Sequence, residues 1–184
     1  MPDSVYTVTD STKTEVKLKR AAPKGPPGDK TLDGYLGKNI SVICNNKYDS
    51  NKDSHCAHFV SHVKKYSFSG TLICSKMKYE TRNNPGACLR VNEVFAKCPK
   101  VGAWKDKPEK PDACLAFVTL STNVDLKNGT MSSHPKKHVG IYSGGMIYHY
   151  SNSKNKVVKQ PPEKFAKHYK GGNVEVYYGT FPTP

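Results

Sequence analysis

The sequence lacks both the long apolar segments of membrane proteins and the arginine-rich runs of base-reading proteins. No window approaches the roughly 18 apolar residues of a membrane span. Arginine occurs at positions 20, 82 and 90 alone, although proteins that read bases depend on the bidentate fork of its side chain. We therefore expect no membrane span and no specific nucleic-acid recognition.

The first residues contain no recognisable secretion leader. The chain begins Met1-Pro2-Asp3-Ser4-Val5, without a basic start, an apolar core or a small-residue cleavage site. We therefore expect a soluble protein without a Sec-type signal. If it acts outside its own cell, it would leave by another route or lose a leader beforehand.

The cysteines contain no C-x-x-C pair, so zinc ribbons and thioredoxin-type redox motifs have little support. Six cysteines are present. Four of them, Cys74, Cys88, Cys98 and Cys114, lie close together in the sequence, which allows one or two disulfides in an oxidising space. The alternative interpretation is a set of small buried thiols.

What the chain does contain is lysine. The formal net charge is +14, from 29 Lys and Arg against 15 Asp and Glu among 184 residues. Such a surface attracts anionic polymers: nucleic acid, acidic lipid, or the carboxylates and phosphates of a bacterial cell wall. Charge alone does not choose among these.

The pattern of apolar residues predicts one α+β domain. Residues 1–35 are expected to form an N-terminal extension or edge strand with a Pro/Gly linker, and residues 36–184 a single catalytic domain with an insertion at about 67–110. A helix is predicted from His55 to Tyr66, with Asp53 or Ser54 as its N-cap. From Cys114 onward the sequence predicts antiparallel strands, including a hairpin across Gly144-Gly145.

One cysteine and two distant histidines form a candidate catalytic group. Cys56 opens the predicted helix, whose free N–H groups would lower its pKa and hold an oxyanion. His138 and His149 lie on the two strands of the predicted hairpin, which can bring them onto one face. They would then act as base and orienting residue. Alternatively, Cys56 is a core thiol and both histidines are exposed strand residues.

Other polar residues near this group are weaker candidates. Tyr48 could assist the oxyanion or the substrate, and Asn152 could replace His149 as the orienting residue. His55, His58 and His62 also follow Ser54 on the predicted helix, where an H-x-x-x-H spacing can bind zinc. No glutamate follows His58 and no carboxylate ligand is evident, so a polar helix face is the default interpretation, and no metal or cofactor is expected.

Three segments resemble the NlpC-type papain-like cysteine peptidases and amidases, a superfamily of bacterial cell-wall hydrolases related to CHAP domains. His138-Val139-Gly140-Ile141-Tyr142-Ser143-Gly144 with Ile147-Tyr148-His149 resembles their histidine strands. Cys56-Ala57-His58-Phe59-Val60 is similar to their nucleophile helix, and Pro111-Asp112-Ala113-Cys114-Leu115-Ala116-Phe117-Val118 to the preceding strand. The sequence departs from the family at Ala57-His58, where a Ser-Gly pair is usual.

This resemblance implies a papain-like fold, in which the nucleophile helix packs on a curved antiparallel sheet, and a Cys-His-His mechanism. The implied substrate is a bacterial cell-wall peptide, cleaved by an endopeptidase or amidase. Because no signal peptide is evident, we expect such an enzyme to be an antibacterial effector or a lysin. It would act outside the producing cell as a monomer, and an immunity or inhibitor protein is a conceivable partner. Two alternatives remain: a papain-like protease or acyltransferase acting on a host protein or lipid, and a non-catalytic module that binds anionic polymers.

Overall fold

The structure, a computed structural model, describes residues 29–77, 86–110 and 112–184. Its helices are α1 (Lys30–Asp33), α2 (Ile40–Ile43), α3 (Cys56–Lys64), α4 (Val91–Ala96) and α5 (Pro162–Phe165). Its strands are β1 (Val101–Ala103), β2 (Ala113–Leu120), β3 (Val124–Asp125), β4 (Thr130–Met131), β5 (Lys137–Ser143), β6 (Met146–Ser151), β7 (Lys156–Gln160) and β8 (Val174–Gly179). None of the described helices is long and apolar enough to cross a membrane. The edge strand predicted near the start of the chain lies outside the described residues.

Six strands form an antiparallel sheet in the order β1-β8-β2-β5-β6-β7, and β3 pairs with β4 separately. Helices pack against this sheet, so the α+β class predicted from the sequence is confirmed. The predicted hairpin is also present, because β5 turns into β6 through Gly144 and Gly145. Their φ angles of 57° and 77° are the positive values that a type I′ turn requires.

Strand β2 runs through the middle of the core and is buried along its length. Leu115 and Phe117 face the side of the sheet that α3 and α4 cover, and Phe117 meets Phe95 edge to face at 5.0 Å. The alternate residues Ala116 and Val118 face the other side, which Phe165 of α5 covers. Each fully buried side chain of this size contributes about 1.5–3 kcal/mol. The sheet is therefore fixed between two apolar layers.

Helix α1 packs on the domain, although the sequence placed it in an N-terminal extension. Leu32 is buried in the main core. The Asp33 carboxylate accepts hydrogen bonds from the Tyr148 hydroxyl at 2.9 Å and from Lys159 Nζ at 2.7 Å. The boundary predicted after residue 35 is therefore too late, because the domain includes residues 29–35.

The segment 67–110 is part of the core where it is described, and is not a peripheral insertion. Val94 and Phe95 of α4 are fully buried, and β1 extends the sheet by pairing with β8. The sequence predicted an insertion here and did not indicate this role. The strand was missed because its three residues are too few to show an alternating pattern.

All six cysteines lie in the described part of the chain as free thiols. The disulfides considered for Cys74, Cys88, Cys98 and Cys114 are not formed. Three of these four side chains are buried and Cys98 is half-buried, which agrees with the interpretation of small core thiols.

Candidate active site

Cys56 is the first residue of α3 and lies where that helix meets the sheet. The N-cap is His55, with no side-chain cap hydrogen bond, so the predicted capping by Asp53 or Ser54 is wrong. Ser54 instead turns toward the nucleophile, and its Oγ lies 3.5 Å from Cys56 Sγ. The first turn of α3 thus presents the thiol together with N–H groups that have no partner within the helix.

His138 and His149 form a hydrogen-bonded pair across the hairpin. His138 Nε2 lies 2.9 Å from His149 Nδ1, and both rings are buried. Gly140 permits this approach, because a Cβ there would lie 2.6 Å from Ile147 Cγ2 and 3.1 Å from His149 Cβ. The pairing of β5 with β6 runs only from Ile141 to Ser143 on the β5 side. The two histidines lie just beyond this paired stretch.

Cys56 contacts β5 at Val139, the residue that follows His138 in the strand. The backbone N–H of Val139 donates a hydrogen bond to Cys56 Sγ. Both imidazoles lie on the sheet face that Phe165 covers, with ring centroids 5.7 Å and 5.4 Å from that of Phe165. Because His138 uses Nε2 to contact His149, Nδ1 is the ring nitrogen that remains for other contacts.

Burial dominates the electrostatics of the group. It raises the pKa of the Cys56 thiol, and hydrogen bonds from Ser54 and from backbone N–H groups oppose this without reversing it. Burial, with repulsion from His149 and His168, lowers the pKa of His138 well below its usual range. Burial lowers the pKa of His149 to about 4. At rest, therefore, the thiol and both imidazoles are neutral, and the thiolate predicted from the helix start is not favoured.

Two residues that were not predicted from the sequence, His168 and Tyr169, also lie near the histidine pair and Cys56. His168, just after α5, stacks on His138 with ring centroids 3.9 Å apart and planes 18° apart. The ring of Tyr169 contacts that of His168, with centroids 4.7 Å apart. The pKa of Tyr169 is raised, mainly by burial and to a smaller extent by the nearby Cys56. The spacing of His168 three residues after the apolar Phe165 was the one signal in the sequence.

Asn152 does not contact the histidine pair as an orienting residue would. Its Oδ1 accepts the backbone N–H of His55 at 3.0 Å, and its Nδ2 donates to Ser54 Oγ at 2.9 Å. Asn152 therefore ties the turn after β6 to the segment that leads into Cys56. It holds the segment before Cys56 and does not hold His138.

The position of Tyr48 also does not fit the role considered for it, which was to assist the oxyanion or the substrate. Its ring packs edge-on against His55 at 5.9 Å and His58 at 5.6 Å. It does not line the cavity beside Cys56. An oxyanion contact from Tyr48 is therefore not supported, and the residue packs over the buried histidines of α3.

The interpretation of the α3 histidines as a polar helix face is wrong. His55 and His58 are both 0 % exposed, and His62 is half-buried. His55 Nδ1 lies 3.1 Å from His58 Nδ1, and His58 Nε2 lies 3.1 Å from His62 Nε2. The three imidazole rings are thus linked in a row by hydrogen bonds, in the interior of the protein.

In comparisons with protein-family models, curated proteins and solved structures, nothing matches this chain.

A cavity of about 500 Å³ opens beside Cys56. Two cationic residues, Arg90 at the start of α4 and Lys137 at the start of β5, lie in its wall together with Ser54. Lys137 Nζ also donates to the carbonyl oxygens of Ser133 at 2.9 Å and His134 at 2.7 Å. The space next to the thiol is therefore large enough for a short peptide and carries positive charge.

Proposed function

We propose that this protein is a cysteine hydrolase that cleaves an amide bond in bacterial peptidoglycan peptides, as an endopeptidase or an amidase of NlpC type. The observation that carries the proposal is the contact between Cys56 Sγ and the Val139 N–H. Through this contact, the cysteine at the start of α3 lies against the backbone of the residue that follows His138 in β5. His138 is itself hydrogen-bonded to His149. The order cysteine, histidine, histidine is that of the family that the sequence resembles, and an antiparallel sheet packed against helices is compatible with its papain-like fold.

The reaction would start from neutral partners. As Cys56 Sγ attacks the carbonyl carbon, His138 Nδ1 takes the thiol proton, so no free thiolate has to build up in the buried site. His138 Nε2–H then donates to His149 Nδ1, which stabilises the imidazolium. The N–H groups at the start of α3 would bind the oxyanion. His138 next protonates the leaving amine, and water releases the acyl group from sulfur.

The charge of the cavity supports an acidic substrate. Arg90 and Lys137 lie beside the thiol, and peptidoglycan stem peptides carry free carboxylates. The net charge of +14 would also hold the protein on a polyanionic wall. An antibacterial effector or lysin acting on the wall of another cell would use both features.

Purified peptidoglycan sacculi provide the test. Wild-type protein, Cys56→Ala and the control Cys98→Ala are incubated with sacculi, and the released fragments are identified by mass spectrometry. New amine and carboxyl termini from wild type and from Cys98→Ala, but not from Cys56→Ala, would establish hydrolysis and locate the bond. Fragments from no variant would reject the cell-wall proposal, and retention on sacculi without cleavage would instead favour a binding module.

A further inference from the structure

A second cluster of reactive side chains lies along α3, and none of its members lines the cavity beside Cys56. Cys44, His58, His62 and Cys74 each offer one ligand atom, and these four atoms all lie within 4.8 Å of one another. His58 and His62 come from successive turns of α3, Cys44 ends α2, and Cys74 opens the short 3-10 helix Cys74–Lys76. None of the four takes part in the proposed hydrolysis.

The spacing of the ligand atoms is close to that of a tetrahedral metal site. Zinc bound at about 2.0–2.1 Å to nitrogen and about 2.3 Å to sulfur separates neighbouring ligands by about 3.3–3.8 Å. His58 Nε2 and His62 Nε2 are 3.1 Å apart, and His62 Nε2 lies 3.7 Å from Cys74 Sγ. We propose that Cys44, His58, His62 and Cys74 bind one zinc ion in a closed Cys2His2 site.

A chain of hydrogen bonds behind His58 fixes its tautomer. His55 Nε2 lies 2.9 Å from the carbonyl oxygen of Ser50, which can only accept, so Nε2 carries the proton. In the neutral ring His55 Nδ1 is then an acceptor for His58 Nδ1–H, 3.1 Å away. The lone pair of His58 therefore lies on Nε2, the nitrogen that faces His62. Metal-binding histidines are oriented by this kind of outer hydrogen bond.

The sulfur atoms receive the hydrogen bonds that metal-bound thiolates need. Cys74 Sγ accepts from Asn46 Nδ2 at 3.1 Å and from the Ala87 backbone N–H at 3.2 Å. Cys44 Sγ accepts from the backbone N–H groups of Asn46 and Tyr48. A buried cluster of two thiols and two imidazoles without carboxylates suits zinc among the common metals.

Binding would release two protons and leave no net charge. The two thiols each lose a proton to form Zn–S bonds, and the two neutral imidazoles donate their lone pairs. One Zn²⁺ with two thiolates is neutral overall, which suits a buried position. Four protein ligands leave no open coordination position, so the ion would be structural. It would join α2 and the turn at Cys74 to the helix that carries Cys56.

Metal content of the purified chain tests the site without reference to activity. Protein prepared in zinc-supplemented medium without chelator should contain about one zinc per chain by elemental analysis. After dialysis against a competing chelator, the zinc content per chain of His62→Ala and of Cys74→Ser should each be at least about tenfold lower than that of wild type. Cys88→Ser, which removes a buried cysteine outside the cluster, and the active-site variant Cys56→Ala should keep it.

Spectroscopy covers the case in which a ligand variant folds poorly. Exchange of wild-type protein into Co²⁺ should give sulfur-to-cobalt charge-transfer bands and the intense visible bands of a tetrahedral ion, whereas absence of both would overturn the proposal. His55→Gln, which leaves all four ligands in place, should weaken zinc binding about 10–100-fold. Folded wild-type protein without metal, or linked peptides from a Cys44–Cys74 disulfide, would also overturn it. Because Cys56→Ala is expected to retain zinc, failure of the hydrolase proposal would not affect this result.

Discussion

His149 Nδ1 lies 2.9 Å from His138 Nε2, while Nε2 on the far side of the same buried ring has no hydrogen-bond partner among the residues that the structure describes. The hydrogen-bonded histidine pair therefore ends on a neutral ring and not on a carboxylate. Gln160 is near enough to affect the pKa of His149, but burial is the larger influence. In the proposed mechanism His149 would orient His138 through this bond but, as a neutral ring, would stabilise a positive charge on His138 only weakly.

Replacing His149 should therefore reduce catalysis more than substrate binding. We expect His149→Ala to lower kcat by about 10²–10³-fold with little change in KM, because the base loses its orientation in the transition state. His149→Asn, whose amide oxygen can still accept from His138, should recover part of the loss. Steady-state kinetics on a defined peptide, with melting curves for both variants, provide the measurement. Equal losses in the two variants would show that orientation is not what His149 supplies.

Alkylation of Cys56 should be slow at neutral pH and should rise with pH. Since burial raises the pKa of this thiol, the thiolate fraction, and with it the rate, should increase about tenfold per pH unit until the pKa is passed. Iodoacetamide labelling from pH 5 to 10, followed by peptide mass spectrometry, gives the profile. The same peptide in urea-denatured protein is the control. A fast rate that is flat between pH 5 and 7 would instead indicate a resting thiolate–imidazolium pair.

Removing Asn152 should loosen the segment that leads into the nucleophile. Asn152→Ala loses the bonds to His55 N–H and Ser54 Oγ, each with a net value of about 0.5–1.5 kcal/mol. We expect destabilisation by about 1–3 kcal/mol and a changed alkylation rate at Cys56. Denaturant unfolding measures the first effect. Ser153→Ala, in the same turn but exposed, should change neither quantity, and a matching effect there would assign the loss to the turn in general.

Arg90 should contribute to binding of an acidic peptide. Arg90→Gln removes a cation from the cavity wall, and because this residue is exposed we expect KM to rise only about 3–10-fold, with kcat unchanged. The difference from wild type should shrink as salt is raised. Lys105→Gln, which removes an exposed cation outside the cavity, should leave KM as it was. An equal rise in both variants would mean that overall charge, and not this position, attracts the substrate.

Adding one methyl group at Gly140 should separate β5 from β6. The new Cβ of Gly140→Ala would meet Ile147 Cγ2 at 2.6 Å and the Tyr148 carbonyl oxygen at 2.8 Å. Overpacking of this kind costs about 1–3 kcal/mol, and it should also lengthen the His138–His149 contact and reduce activity. Gly34→Ala, where the nearest atom is at 3.2 Å, should cost much less. Melting temperatures of the two variants provide the comparison.

The parts of the fold that could be predicted were those with strong local signals. β2 is a continuous apolar run, and the hairpin of β5 and β6 is marked by paired glycines, so both followed from the sequence. The electrostatics of Cys56 did not, because a helix start predicts a lowered pKa while only the packing around the sulfur reveals the burial that raises it. His58 and His62 were recognised as a possible ligand pair, but Cys44 and Cys74 are distant in sequence and no spacing rule links them to α3.

The position of β8 affects how the chain can fold during synthesis. This strand, Val174–Gly179, lies between β1 and β2 in the sheet. Until it has left the ribosome, β1 has no partner in the sheet and one edge of the apolar strand β2 is open. The strands β2, β5, β6 and β7 can pair earlier, but the six-stranded sheet is complete only after β8 is made, and nascent chains stalled before Val174 should bind chaperones that protect exposed strand edges.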